Sequence, residues 1–214
     1  LINERISVTL FLLGAQTGED RVMVNAEDVL SFWLDDVGPK GWYEGGGALD
    51  AKCRDKFGAA WQDVLNGAYG LWLTYPSGSL AYIILTDQLS RNIWRDHKAA
   101  FATDHLARAA AKTAIERKWD LAIDGPARQF FYMPLMHSEN LCDQDRAVRL
   151  FHKRMPNEGA DHMLHARAHR DVIRQFGRFP YRNAVLERAP TNLETAYLDA
   201  GGYGHTVRNL KAPA

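Results

Sequence analysis

The chain has 214 residues, with 26 basic and 26 acidic side chains, no formal net charge, 46% hydrophobic and 24% charged residues. This is the balance of a folded globular protein, whose core at this size buries roughly 70% of the chain's potential surface. A neutral chain lacks the basic excess of a nucleic-acid binder or of a protein drawn to anionic membranes, so neither partner is expected. Cys53 and Cys142 lie far apart in no metal-binding spacing, which predicts reduced thiols in a cytoplasmic protein.

Residues 1–22 stand apart. Ile6 to Ala15 is an apolar run well short of the roughly 20 residues that span a bilayer. No small-residue cleavage site follows it. The stretch reads as an extension or a misassigned start. The domain is expected over 23–202, with a loose tail over 203–214.

Asn25 reads as the N-cap of a helix over about 26–36, with Glu27 and Asp28 in its first turn and Gly38-Pro39 ending it. Lys40 to Gly47 reads as a loop anchored by Trp42 and Tyr43, and Trp42 and Trp94 are candidates for a pocket mouth. A helix from about Leu49 to Leu65 carries Phe57, Trp61 and Val64 at helical spacing. The next runs from about Ser79 to Trp94, capped by Ser77 or Ser79. Leu80, Ile83, Ile84, Asp87, Gln88 and Arg91 share one face of it, so the apolar face carries an acid and a base four residues apart. Turned inward, such a pair is costly to desolvate unless fully hydrogen-bonded.

Residues 99–118 read as an alanine-rich helix and Asp120 to Pro126 as a loop. Phe130 to Met136 is either a short helix or an aromatic strand. Ser138 reads as the N-cap of a helix over about 139–154, with Leu141, Gln144, Val148, Phe151 and Met155 inward. Residues 156–159 break the chain. Ala160 to Phe176 places His165, His169 and Val172 on one face, with Gly177 as C-cap. Tyr181 to Leu186 reads as a short helix, and a last helix covers about 192–200. No strand alternation is visible. Helices of this length joined by short loops predict an all-α domain, a compact array of antiparallel helical hairpins.

Polar chemistry collects in three stretches. His137, Ser138 and Glu139 interrupt an aromatic run at a helix entry, where free N–H groups favour an anion. His137 is a candidate acid/base, with Glu139 to orient it. Arg91 is placed to hold a carboxylate or phosphate, braced by Asp87. Asn92, Gln144, His169, Arg178, Arg182 and Asn183 complete a candidate pocket for a small anionic ligand. Every one of these residues has a second reading, as a helix cap or as part of an internal polar network. His162, His165 and His169 share a helix, but no H-E-x-x-H pattern is present and nearby arginines oppose a cation, so no metal is expected. No P-loop, G-x-S-x-G or G-x-G-x-x-G occurs, and Gly45-Gly46-Gly47 lacks the required context, so no cofactor is expected either.

VLSFW from Val29, SGSLAYIILTDQLSRNIWR from Ser77, FFYMPLMHSENLCDQ from Phe130 and HRDVIRQFGRFPYRN from His169 resemble the bacterial family called domain of unknown function 924. The resemblance covers about residues 26–200 and implies an all-helical, tetratricopeptide-repeat-like fold, with no activity attached. Family members start close to Val29, in keeping with the reading of residues 1–22. Leu89 and Ser90 stand where the family usually has an aromatic residue and a proline. Tyr181 stands where it often has His, and Glu187 near a position where glycine is common. Two functions stay open: an anion-binding enzyme using His137 and Glu139 in hydrolase- or lyase-type chemistry, and a non-catalytic peptide- or protein-binding module whose polar cluster is structural.

Overall fold

The computed structural model describes residues 23–156 and 160–211, so the expectation for residues 1–22 lies outside the described residues. All regular structure among the described residues is helical. The element on which the rest packs is the helix Pro76–Ile83, which continues through a π-helical segment, Ile84–Leu89, into Ser90–Ile93. Pro76 sits at the start, where a missing N–H breaks no helical bond. Neither Ser77 nor Ser79 caps this helix. Its N-cap is the extended Tyr75, and the Ser79 hydroxyl points back to the Trp72 carbonyl at 3.5 Å. Gly78 is required here, because a Cβ would lie 2.5 Å from both the Trp72 carbonyl oxygen and the Tyr75 ring.

The expected one-sided face is not what forms. Every residue from Gly78 to Ser90 is buried, so the helix is core on all sides. It packs against Ala26–Leu30, Gly47–Leu65 and Asp104–Glu116. The π-helical turn changes the backbone bonding, and side chains complete it. The Thr86 carbonyl accepts from the Thr103 hydroxyl at 2.6 Å and from the Ser90 hydroxyl at 3.0 Å. π-Helical turns are rare and concentrate at functional sites, and this one carries Asp87.

Several boundaries differ from the sequence reading for identifiable reasons. The first helix, Ala26–Leu30, has the expected cap as a reciprocal box between Asn25 and Asp28. It then widens into a π-helical segment, Ser31–Val37, and continues past Gly38, whose φ of +62° allows one more turn at Gly38–Gly41. The alanine-rich helix is divided into a 3-10 turn, Lys98–Phe101, and Asp104–Glu116. The stretch around Pro134 is helical, as Gln129–Phe131 and Met133–Met136. Asp120, read as a loop residue, is fully buried and accepts from the Tyr132 hydroxyl at 2.6 Å and Arg154 at 2.5 Å.

Asn140, not Ser138, caps the helix Leu141–Arg154, accepting from the Cys142 and Asp143 amides, and Leu141 faces outward. Pro180–Arg182 is a 3-10 turn followed by turns, rather than a helix to Leu186. The tail is not loose where it is described: Gly202–Lys211 is a helix packed on Ala160–Phe176. Cys53 is buried and Cys142 exposed, and both are free thiols.

A main core built on the central helix is joined by a smaller cluster of Val172, Ile173, Phe179 and Tyr197, with Phe176 and Tyr203 against it. The polar residues of interest lie where the two clusters meet.

Glu187 takes φ +55°, the left-handed conformation that glycine adopts without strain. Its carboxylate gains only an exposed contact with Lys98 at 3.4 Å. Glu187→Gly is therefore expected to stabilise the fold by about 0.5–1 kcal/mol, read as a higher urea midpoint with an unchanged slope.

Candidate functional site

The short helix Met133–Met136 ends on His137, and the π-helical turn of the central helix presents Asp87 to it. His137 Nδ1 lies 2.8 Å from Asp87 Oδ1 and 3.0 Å from Oδ2. Asp87 is 1% exposed. Burial pushes its pKa up, but the His137 charge and hydrogen bond, Arg91 and the Gln88 amide outweigh this and hold it below the usual carboxylate range. An ionised carboxylate only accepts, so Nδ1 carries the proton and Nε2 is the nitrogen left for a ligand. The amide of Gln144 fixes the turn from behind, donating to the Met136 and Ser138 carbonyls at 2.6 Å each.

His137 borders a cleft of about 420 Å³. Arg91 and Arg182 stand on its wall and both lie against the Phe101 ring, their guanidinium carbons 4.6 and 4.8 Å from its centre. Asp104 braces both, 2.7 Å from Arg91 and 3.7 Å from Arg182. Burial pushes the Asp104 carboxyl up despite the opposing pull of Arg91. Burial, then repulsion from Arg91, pushes Arg182 down. Arg91 also donates to the Ala100 carbonyl, and Arg182 donates to the His137 carbonyl at 3.1 Å. The pocket is thus less cationic than the sequence implied, because buried carboxylates partly neutralise the arginines.

Five of the expected residues line the cleft: Arg91, Asn92, His137, His169 and Arg182, with Asp87 directly behind His137. Four others lie elsewhere, each engaged by its neighbours. Glu139 accepts from Arg188 at 2.7 and 3.1 Å and from the Phe179 amide at 2.8 Å, so Asp87 rather than Glu139 orients His137. Despite partial burial, those donors hold the Glu139 carboxyl below its usual range. Arg178 is held by Glu194 at 2.5 and 2.7 Å. Asn183 accepts from Arg188 Nε at 3.0 Å, and Gln144 is the buried strut already described.

Sequence reading missed Arg95, Asp50, Phe101 and the position of Tyr181. Arg95 on the cleft wall binds Asp50 at 2.6 and 2.8 Å, while Asn92 donates to the same carboxylate at 2.9 Å. Gly45 packs over this arginine, where a Cβ would lie 3.2 Å from Nη1. Of the two candidates for the pocket mouth, Trp42 lines the cleft, whereas Trp94 is tilted against Trp61 with ring centroids 5.3 Å apart. Among the described residues no group of three or more His, Cys, Asp or Glu is placed to hold a metal ion, and no helix is long and apolar enough to cross a membrane.

The family model for bacterial proteins of unknown function, DUF924, matches residues 29–202. The chain belongs to DUF924. A solved structure similar to this DUF924 chain is the protein of unknown function ATU0120 from Agrobacterium tumefaciens. The two share 38% identity with a TM-score of 0.77, over 82% of this chain and 97% of that one. A comparison with curated proteins gives no match.

His169 supplies a pH test of this region in the DUF924 chain. Its ring lies 6.1 Å from that of His137, with Nδ1 2.9 Å from the His165 carbonyl oxygen. Burial, followed by the charges of His137 and Arg182, pushes its pKa down to about 3. Below the ordinary histidine pKa the unfolded chain takes up a proton that the folded chain refuses. Stability from this group is therefore complete above about pH 6.5 and is lost as pH falls toward about 3. His169→Gln is expected to flatten the stability profile between about pH 6.5 and 5 by roughly 1 kcal/mol per pH unit, measured by urea unfolding. An unchanged slope would mean that the ring is not held neutral.

Proposed function

We propose that the cleft binds a small anionic molecule and that His137 moves a proton on it. The observation that carries this reading is the His137–Asp87 contact at 2.8 Å on the wall of an open cleft, beside Arg91 and Arg182. With Nδ1 bound to Asp87, Nε2 acts as a base toward a ligand proton, and the carboxylate stabilises the imidazolium that forms. Reversed, the same pair delivers the proton to a leaving group, which fits hydrolase- or lyase-type chemistry. The two arginines share one carboxylate, Asp104. An incoming carboxylate or phosphate supplies a second negative charge and favours binding there. The helix N-terminus does not hold the anion, because the Asn140 side chain already accepts from the Cys142 and Asp143 amides there.

The engagement of Glu139, Arg178, Gln144 and Asn183 in internal bonds favours a structural role for that part of the cluster. Extended to the whole cluster, it describes the non-catalytic, tetratricopeptide-like binding module. Thermal denaturation with inorganic phosphate and a panel of carboxylates separates the two. A ligand at 100 times its Kd adds about 2.7 kcal/mol, a rise of several degrees for a domain of this size. At least one anion is expected to give such a rise, with Arg182→Gln removing it and the helical spectrum unchanged. If no anion shifts the transition, or if Arg182→Gln and His137→Ala simply unfold, the cluster is an internal network. Mass spectrometry of small molecules released from the purified protein then names the ligand.

A further inference from the structure

A second cavity, of about 610 Å³, lies against the first and shares Tyr43, Met133, His137 and His169 with it. Its character is different. The first is bordered by arginines and carboxylates. The second is bordered by Met136, Phe151, His162, His165 and Tyr203, with Asp161 and Lys211 its charged residues. Its rings are already arranged for one another: His162 stacks on Phe151 at 5.7 Å and His165 on Tyr203 at 5.9 Å, while His169 tilts against Tyr203 at 4.6 Å. Burial keeps His165 and His169 toward the neutral form, so these walls are weakly charged. The Tyr203 hydroxyl is held by His165 Nδ1 at 2.7 Å and His169 Nδ1 at 3.0 Å, which fixes the ring faces.

We infer that the two cavities are the two ends of one binding site, and that its ligand is an anion carrying a planar aromatic group. The anionic head lies between Arg91 and Arg182, the atom that exchanges a proton lies at His137, and the ring lies among Met136, Phe151, His162 and Tyr203. Rings meeting rings at offset or edge geometry, with thioethers alongside, favour a flat π-system over a charged or strongly hydrated group. His137 and His169 belong to both walls, so the proton-transfer step falls at the junction of head and ring. Tyr43, from the glycine-rich loop, borders both cavities, its hydroxyl donating to Gln129. This inference rests on the anion-binding reading above and specifies the ligand class it would serve.

Three probes with the same head group test it: inorganic phosphate, octyl phosphate and 2-naphthyl phosphate, titrated calorimetrically against the full chain. The naphthyl ester is expected to bind at least about tenfold more tightly than phosphate and more tightly than the octyl ester, as burial of an aromatic ring requires. His162→Trp, at a partly exposed position, and Met136→Trp, at a buried one, fill the second cavity. Each is expected to cut the ratio of naphthyl phosphate affinity to phosphate affinity to about threefold or less. The first variant keeps the test usable if the second does not fold. Equal affinity for all three probes would overturn the aromatic compartment but leave the anion site standing. Preference for the octyl ester would make the compartment an alkyl site and also overturn the inference. Absence of binding by every probe would overturn both readings together.

Discussion

The structure depends on satisfying one buried negative charge. Asp87 lies on a helix that is buried on every side, and its carboxylate is almost completely withdrawn from water. A charge in that position stays ionised only if its partners replace the lost hydration, and removing a partner from such a pair typically costs about 3–5 kcal/mol. His137, Gln88 and Arg91 supply the replacement. Each partner has structural needs of its own. His137 must end a helical turn, so Gln144 ties down the carbonyls around it. Arg91 must be braced, so Asp104 and the Phe101 ring hold it. The π-helical turn that carries Asp87 needs the Thr103 and Ser90 hydroxyls.

Two more acid-base groups extend the same logic outward. Asp50 holds Arg95 and Asn92 on the cleft wall, and Glu139 holds Arg188 and the Phe179 amide away from it. They differ from the Asp87 group in one respect. Their carboxylates bind arginine, whereas Asp87 binds a histidine ring whose second nitrogen is left over at a residue bordering both cavities.

Helical content was legible because apolar spacing of three and four residues reports directly on a buried stripe. The helix over 47–65, the Asn25 cap and the Thr191 start of a later helix follow from local chemistry. The pair Asp87 and Arg91 was also legible, since polar residues on an apolar face must have partners. The identity of those partners was not. His137 is 50 residues from Asp87, and only the packing of two helices brings them together. Glu139 sits two residues from His137 in sequence, yet Arg188 captures it, because a guanidinium with matched donors outcompetes a neighbouring imidazole. The π-helical turns were invisible, because a one-residue widening barely alters an apolar pattern. The helix Gly202–Lys211 was hidden by its glycines and mixed polarity, which read as a tail until its packing on Ala160–Phe176 is known.

Nitrogen-15 NMR of the histidine rings reads whether His137 is both anchored to Asp87 and open to a ligand. A proton is expected on Nδ1, with its hydrogen bond weakened in Asp87→Asn, where a neutral amide oxygen replaces the carboxylate, and a change is expected at Nε2 when a stabilising anion is added. A proton fixed on Nε2, or a His137 ring that does not respond to an anion that raises the melting temperature, would contradict it.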